Sequence, residues 1–114
     1  MFNERFSHGR RFTFNSDNNP YISLNQYVAE GNDATFIVRG CFVHFKSKFG
    51  ESGVIVSDDY NIDVPVHLIK DIKIILSEPE MIKAINEGKC GFTCSTYTDN
   101  YGIVRNTGSF VDIE

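Results

Sequence analysis

No stretch of this 114-residue chain approaches the ~20 consecutive apolar residues needed to cross a bilayer, so no membrane span is expected. The start, "MFNERFSHGRRF", lacks the apolar core of a signal peptide, which leads us to expect a cytoplasmic protein. Cysteine is scarce: Cys41, Cys90 and Cys94 make an odd count, and without a signal peptide that predicts reduced thiols. Cys90-x-x-x-Cys94 has the outline of half a zinc site, but no second pair completes it. In a strand, positions four apart lie ~13 Å apart on one face at ~3.3 Å per residue. That is too far to share a metal or close a disulfide without an intervening turn. Small buried residues are the expectation, and no metal or other cofactor is predicted.

Positive charge is also short. The formal net charge of −4 argues against a protein held to nucleic acid by bulk charge. The distribution is uneven, however. Residues 1–57 hold six basic side chains (Arg5, Arg10, Arg11, Arg39, Lys46, Lys48) against five acids, whereas residues 58–114 hold five against ten, a net of −5. A local basic face is compatible with this, because steering depends on local potential as well as on the total.

Catalytic signatures are lacking too. There is no Gly-rich phosphate loop, and no Ser-His-Asp or Cys-His set can be assembled. Asp58, Asp59 and Asp63 cluster at a turn, but a calcium loop needs more oxygen ligands and a closing glutamate. A solvated turn is the simpler reading, and no enzymatic activity is expected.

What is present suits a folded chain. Hydrophobic residues are 41% and charged residues 23%, which excludes general disorder and fits one domain with a modest core. Residues 1–34 are polar and rich in Asn. Within them "RRFTFN" alternates like a short strand, "NSDNNP" reads as a turn, and "YISLNQYVAEGND" reads as a short helix stopped at Gly31 or as an irregular arm. The basic knot at His8, Arg10 and Arg11 could touch a phosphate backbone or belong to a disordered tail. We divide the chain into a polar arm, 1–34, and a domain, 35–114.

The domain opens with "ATFIVRGCFVHFKSK", a long apolar strand whose interior Gly40 predicts a bulge or sharp coil. A turn at "FGESG" precedes a second strand, "VIVSDD", and "YNIDVPV" forms a third, closed by Pro65. "HLIKDIKIIL" then has helical spacing. "SEPEMIKAINEGK" carries a helix signature, with Ser77 as N-cap, Glu80 three residues later as in a capping box, and Gly88 as the stop. Two tandem helices and one helix bent at Ser77 fit equally. "CGFTCSTYT" and "IVRNTGSFVDI", joined at "DNYG", supply the last two strands. The predicted fold is therefore mainly β: a five-stranded antiparallel OB-like barrel with one helical insertion between strands three and four. A small α+β sheet with helices on one face is the rival.

The run "KSKFG", then "VPVHL", "IKAINEGKCGF" and a hairpin closing on "SFVDIE", resembles small OB-fold single-stranded-DNA-binding proteins of Gram-positive phages and conjugative plasmids, over roughly residues 36–114. The resemblance implies a non-catalytic accessory protein of DNA replication or transfer.

OB barrels grip a strand between the loop joining strands one and two and the loop joining four and five. Here those loops are "KSKFGES" and "TDNYG". Lys46 and Lys48 are candidate phosphate contacts, Phe49 and Tyr101 candidate stacking rings. Tyr60 and Tyr97 lie on nearby strands, and Arg39, His44 and Arg105 add donors or charge. Stacking tolerates any base sequence, which suits non-specific single-strand binding. The plain alternative is that the lysines are solvated charges discouraging edge pairing and that Phe49 covers the barrel end. His67 reads as the start of the helical segment. Single-stranded DNA is the expected partner, with RNA, a host or replication protein and self-association left open. The second reading is an acidic mobile-element protein that occupies a host protein's nucleic-acid site, its carboxylates imitating phosphates.

Overall fold

The computed structural model describes residues 12–46 and 50–113, with the backbone alone over 44–46. The strands are β1 (Tyr21–Ser23), β2 (Thr35–Ile37), β3 (Gly40–Lys46), β4 (Gly50–Val56), β5 (Asn61–Val64), β6 (Cys90–Thr98) and β7 (Val104–Asp112). The helices are α1 (Leu24–Ala29), α2 (Ile69–Ser77, entered through a 3-10 turn at Val66–Leu68) and α3 (Pro79–Asn86). One sheet has the order β1–β5–β4–β3 and the other β2–β6–β7. The fold is mainly β, as its alternating apolar pattern predicts. The two sheets do not join into a closed barrel, because β5 and β7 share no ladder. No helix among the described residues is long and apolar enough to cross a membrane.

The single long strand expected at 34–48 is two. β2 pairs with β6 and β3 pairs with β4. The change of sheet falls at two residues: Val38 N–H donates to the Cys90 carbonyl at 2.9 Å, and Arg39 N–H donates to the Val56 carbonyl at 2.8 Å. Gly40 follows the corner as the first residue of β3. A Cβ there would meet the Phe12 ring at 3.1 Å, so the glycine also admits the arm.

β4 begins at Gly50, earlier than the apolar run at Val54 suggests, because Gly50–Gly53 pair with Val43–Lys46. Tertiary pairing overrides the poor strand propensity of Gly and Ser. β1 adds to β5 in parallel, Ile22 opposite Ile62. Ser23 then caps α1, its Oγ accepting from Gln26 N–H at 3.1 Å. Ile22, Leu24 and Tyr27 enter the same buried cluster as Val38, Ile55, Ile62, Ile72, Ile85 and Phe92. Fully buried aliphatic side chains such as Ile55, Ile62, Ile72 and Ile85 each contribute ~1.5–3 kcal/mol.

The other face of β4 is covered as well. Val54 and Val56 are buried, Phe12 lies against Gly40, and Asn61 Nδ2 donates to the Ser16 carbonyl at 3.4 Å. Asn19 Nδ2 donates to the Ser57 carbonyl at 3.0 Å. Residues 12–19 thus pack over the strands that an OB barrel would offer to a ligand.

The two helices are tandem, but the predicted capping box is not formed. Ser77 is the last residue of α2, and its Oγ donates to the Ile74 carbonyl at 2.8 Å. Glu78 is the extended residue before α3, at φ −114° and ψ 104°, and Pro79 opens the helix. The residue before a proline is pushed out of the helical region, so the break falls at Glu78. Gly88, at φ 75°, stops α3 as expected.

Three substitutions test this packing by urea denaturation. Ser23→Ala removes a formed cap and should cost ~0.5–2 kcal/mol; Ser77→Ala, at the residue expected from sequence to be a cap, should cost less. Gly108→Ala should lower the unfolding free energy by ~1–3 kcal/mol or more, because its Cβ would land on the Phe92 ring and the Thr93 carbonyl.

Candidate nucleic-acid interface

The β6–β7 hairpin organises an accessible collection of aromatic and charged side chains, Tyr97, Tyr101 and Arg105. Its turn is built on one carboxylate. Asp99 Oδ1 accepts from the N–H groups of Tyr101 at 2.9 Å and Ile103 at 3.0 Å, while Oδ2 accepts from Arg105 Nε at 2.8 Å. Gly102, at φ 78°, completes the turn. The Arg105 hydrogen bond, followed by the backbone donors, holds the Asp99 carboxyl below the usual range, and Arg105 is in turn raised by Asp99. The effect is to fix the backbone at Tyr101 while its ring stays 86% exposed.

Tyr97 stands directly across the ladder from Arg105. His67 Nε2 and Thr107 Oγ1 are hydrogen-bonded at 2.7 Å, and the His67 ring meets Tyr97 edge-on at 5.8 Å. On the far side, Asn106 Nδ2 donates to Asn25 Oδ1 of α1 at 2.9 Å. Between these elements lies a cleft of about 530 Å³, walled by Ser23–Asn25, by Asp63–His67, and by Tyr97 with Val104–Asn106. Val66 and Val104 stand exposed on its rim, with Ile103 close by in the turn. A cleft with two rings, a guanidinium and apolar edges can stack a flat group and hold an anion beside it.

The nine residues expected from sequence are not all gathered here. Tyr97, Tyr101 and Arg105 share the hairpin. Arg39 lies at the other end of β6, its Nε on Asp58 at 2.7 Å and its guanidinium over Gly88. From Cys90 to Tyr97 is about 23 Å of strand at ~3.3 Å per residue, so Arg39 does not join the cleft. Tyr60 is half-buried and packs edge-on to Tyr27 at 6.1 Å, which makes it part of the core's margin. Lys48 and Phe49 lie outside the described residues, as do His8, Arg10 and Arg11. His44 and Lys46 are described by backbone alone, in register with Ser52 and Gly50 on β4.

His67 starts the helical segment, as its sequence position suggests, and also faces the cleft. Nothing local in "VPVHL" signals that second role, because Thr107 and Tyr97 reach it from forty and thirty residues away. Of the three aspartates at 58, 59 and 63, Asp58 is tied to Arg39 and Asp63 accepts from Ser52 Oγ at 3.5 Å. Among the described residues no three His, Cys, Asp or Glu side chains stand close enough to hold a metal ion. Cys41 is buried and its thiol is pushed up to about 12, first by burial and then by Cys90. Burial also raises Cys90 and Cys94.

No family model matches this chain, and no curated protein or solved structure matches it.

Two measurements probe these environments. In Arg105→Ala the Asp99 titration, followed by carboxyl NMR, should move up toward the ordinary aspartate value. Asp99 is depressed in the folded state, so its stabilising effect is present above the ordinary value and is lost as pH falls through the depressed one. Cys41 should resist alkylation at pH 8 in the native protein and react only after unfolding, since the thiolate is the nucleophile.

Proposed function

We propose that this protein binds single-stranded nucleic acid, DNA in the first instance, without catalysis, as a cytoplasmic accessory protein of a phage or plasmid. The fold we infer is an OB-like open barrel. In its support, a first strand is shared between two sheets and the helical segment separates strands three and four. The arm takes up part of the seam between β5 and β7. The observation that carries the reading is the convergence of Tyr97, Arg105 and His67 on one cleft below the exposed Tyr101. Tyr101 and Tyr97 would stack on bases, and Arg105 would meet a phosphate with the N–H groups that Asp99 leaves over. This places the weight on the loop between strands four and five, because residues 12–19 cover the face of β4. Lys46, the last residue of β3, with Lys48 and Phe49 of the sequence that follows it, is the second contact group of the same proposal.

The test is fluorescence anisotropy with labelled oligo(dT) at two salt concentrations. Tyr101→Ala should cost ~1–3 kcal/mol of binding while leaving the salt dependence nearly intact, because stacking releases few counterions. Arg105→Ala should flatten the logarithmic salt slope by about 0.7, the value for one phosphate on a single strand. Lys46→Ala with Lys48→Ala should flatten it further. Absence of binding by the wild-type protein at low salt sinks the proposal and leaves the acidic protein-binding reading, which the −5 skew of residues 58–114 favours.

A further inference from the structure

β7 is the edge strand of its sheet. The phase of its hydrogen bonds follows from one contact: Ile113 N–H donates to the Lys89 carbonyl, and the 113–89 pair continues the register that sets Asp112 opposite Cys90. Odd-numbered residues of β7 therefore bond to β6, and the even-numbered ones turn their N–H and C=O groups outward. The β2 ladder agrees, since Val38 and Cys94 use the opposite phase of β6. Near the hairpin turn the outer edge is partly covered, with Asn106 tied to α1. At Gly108, Phe110 and Asp112 no backbone partner is found among the described residues.

Beside those last residues of β7 runs a groove of about 450 Å³ between the strand and the helix pair. Its walls include Ile74 and Ile75 of α2 and Met81, Ala84 and Ile85 of α3. Ile74 and Met81 are each 44% exposed, a large apolar exposure for side chains on facing helices. The charged residues of the lining are Asp71 and Asp112, with no cation.

We propose that this edge and groove form a second binding site, which takes up an extended basic–apolar segment of a partner protein by strand addition to β7. Unpaired strand groups require an extended occupant, the helix-lined groove requires apolar side chains on it, and the two carboxylates require cationic ones. A second copy of this chain is a different occupant, and sedimentation distinguishes it from a partner protein. The site is separate from the hairpin cleft and does not depend on nucleic-acid binding.

The probe is a blocked, fluorescein-labelled hexapeptide of alternating lysine and valine, measured by anisotropy against the full chain at low salt. The wild-type protein should bind it, and a glutamate–valine peptide should bind at least about tenfold more weakly. N-methylating the probe at every second residue should abolish binding in at least one of the two phases. Asp112→Pro removes an outward N–H and a carboxylate and should weaken binding about tenfold, the scale of one lost buried hydrogen bond; Ala84→Phe fills the groove and should weaken binding by excluding the apolar side chains of the probe. Asp112→Asn keeps the N–H and should fall between Asp112→Pro and wild type. Circular dichroism checks that each variant folds. The proposal is overturned if the wild-type protein does not bind the probe at millimolar peptide. It is also overturned if neither methylation phase matters, or if folded Asp112→Pro and Ala84→Phe both bind as wild type. Sedimentation showing a dimer that Asp112→Pro dissociates would make a second copy the occupant, and would overturn it equally.

Discussion

Two backbone hydrogen bonds at a corner hold the architecture together. Val38 belongs to the β6 ladder and Arg39 to the β4 ladder, so adjacent peptide groups serve different sheets. Val38 is fully buried at the corner, where its side chain joins the cluster that both sheets enclose. Buried peptide groups must find partners, and the corner satisfies them by changing sheets instead of by ending the strand. Gly40 is next in sequence, where a side chain would displace Phe12. The covering of β4 by the arm therefore depends on the same corner.

The arm explains why the aromatic and charged residues expected to form one surface are dispersed. Arg39 and Tyr60 stand just before β3 and β5, where other parts of the chain engage them, by an ion pair with Asp58 in one case and by the Tyr27 ring in the other. The hairpin is spared because β6 and β7 run beyond β2, whose backbone bonding to β6 ends with Cys94 N–H on the Ala34 carbonyl. Beyond that point the hairpin projects, and Asp99 supplies by hydrogen bonding the order that packing supplies elsewhere.

What the sequence made legible follows the strength of its periodic signals. β5, β6 and the α2 stripe of Ile72 and Ile75 alternate or repeat clearly, whereas β7 follows from the turn at "DNYG" that precedes it. β1 is three residues long and pairs in parallel, so no local pattern announces it. The start of β4 is hidden by Gly50, Ser52 and Gly53. The Ser77–Glu80 spacing matched a capping box, but Pro79 fixed the break one residue later. At the hairpin, Tyr97, Tyr101 and Arg105 could be named from their place around "DNYG". Their union with His67 could not, because it rests on a contact between residues forty apart.

The parallel pairing of β1 with β5 also orders events in time. The β3–β4–β5 meander and the β6–β7 hairpin close through short loops, whereas Tyr21 must find Asn61 across forty residues and needs β5 as a template. Contacts of such sequence separation form late, after the loop-closure entropy has been met by local structure. One wall of the hairpin cleft, Ser23–Asn25, arrives only with that late step. A ligand seated in the cleft would therefore bind the docked arm in preference to the undocked one, and by mass action would hold β1 and α1 in place.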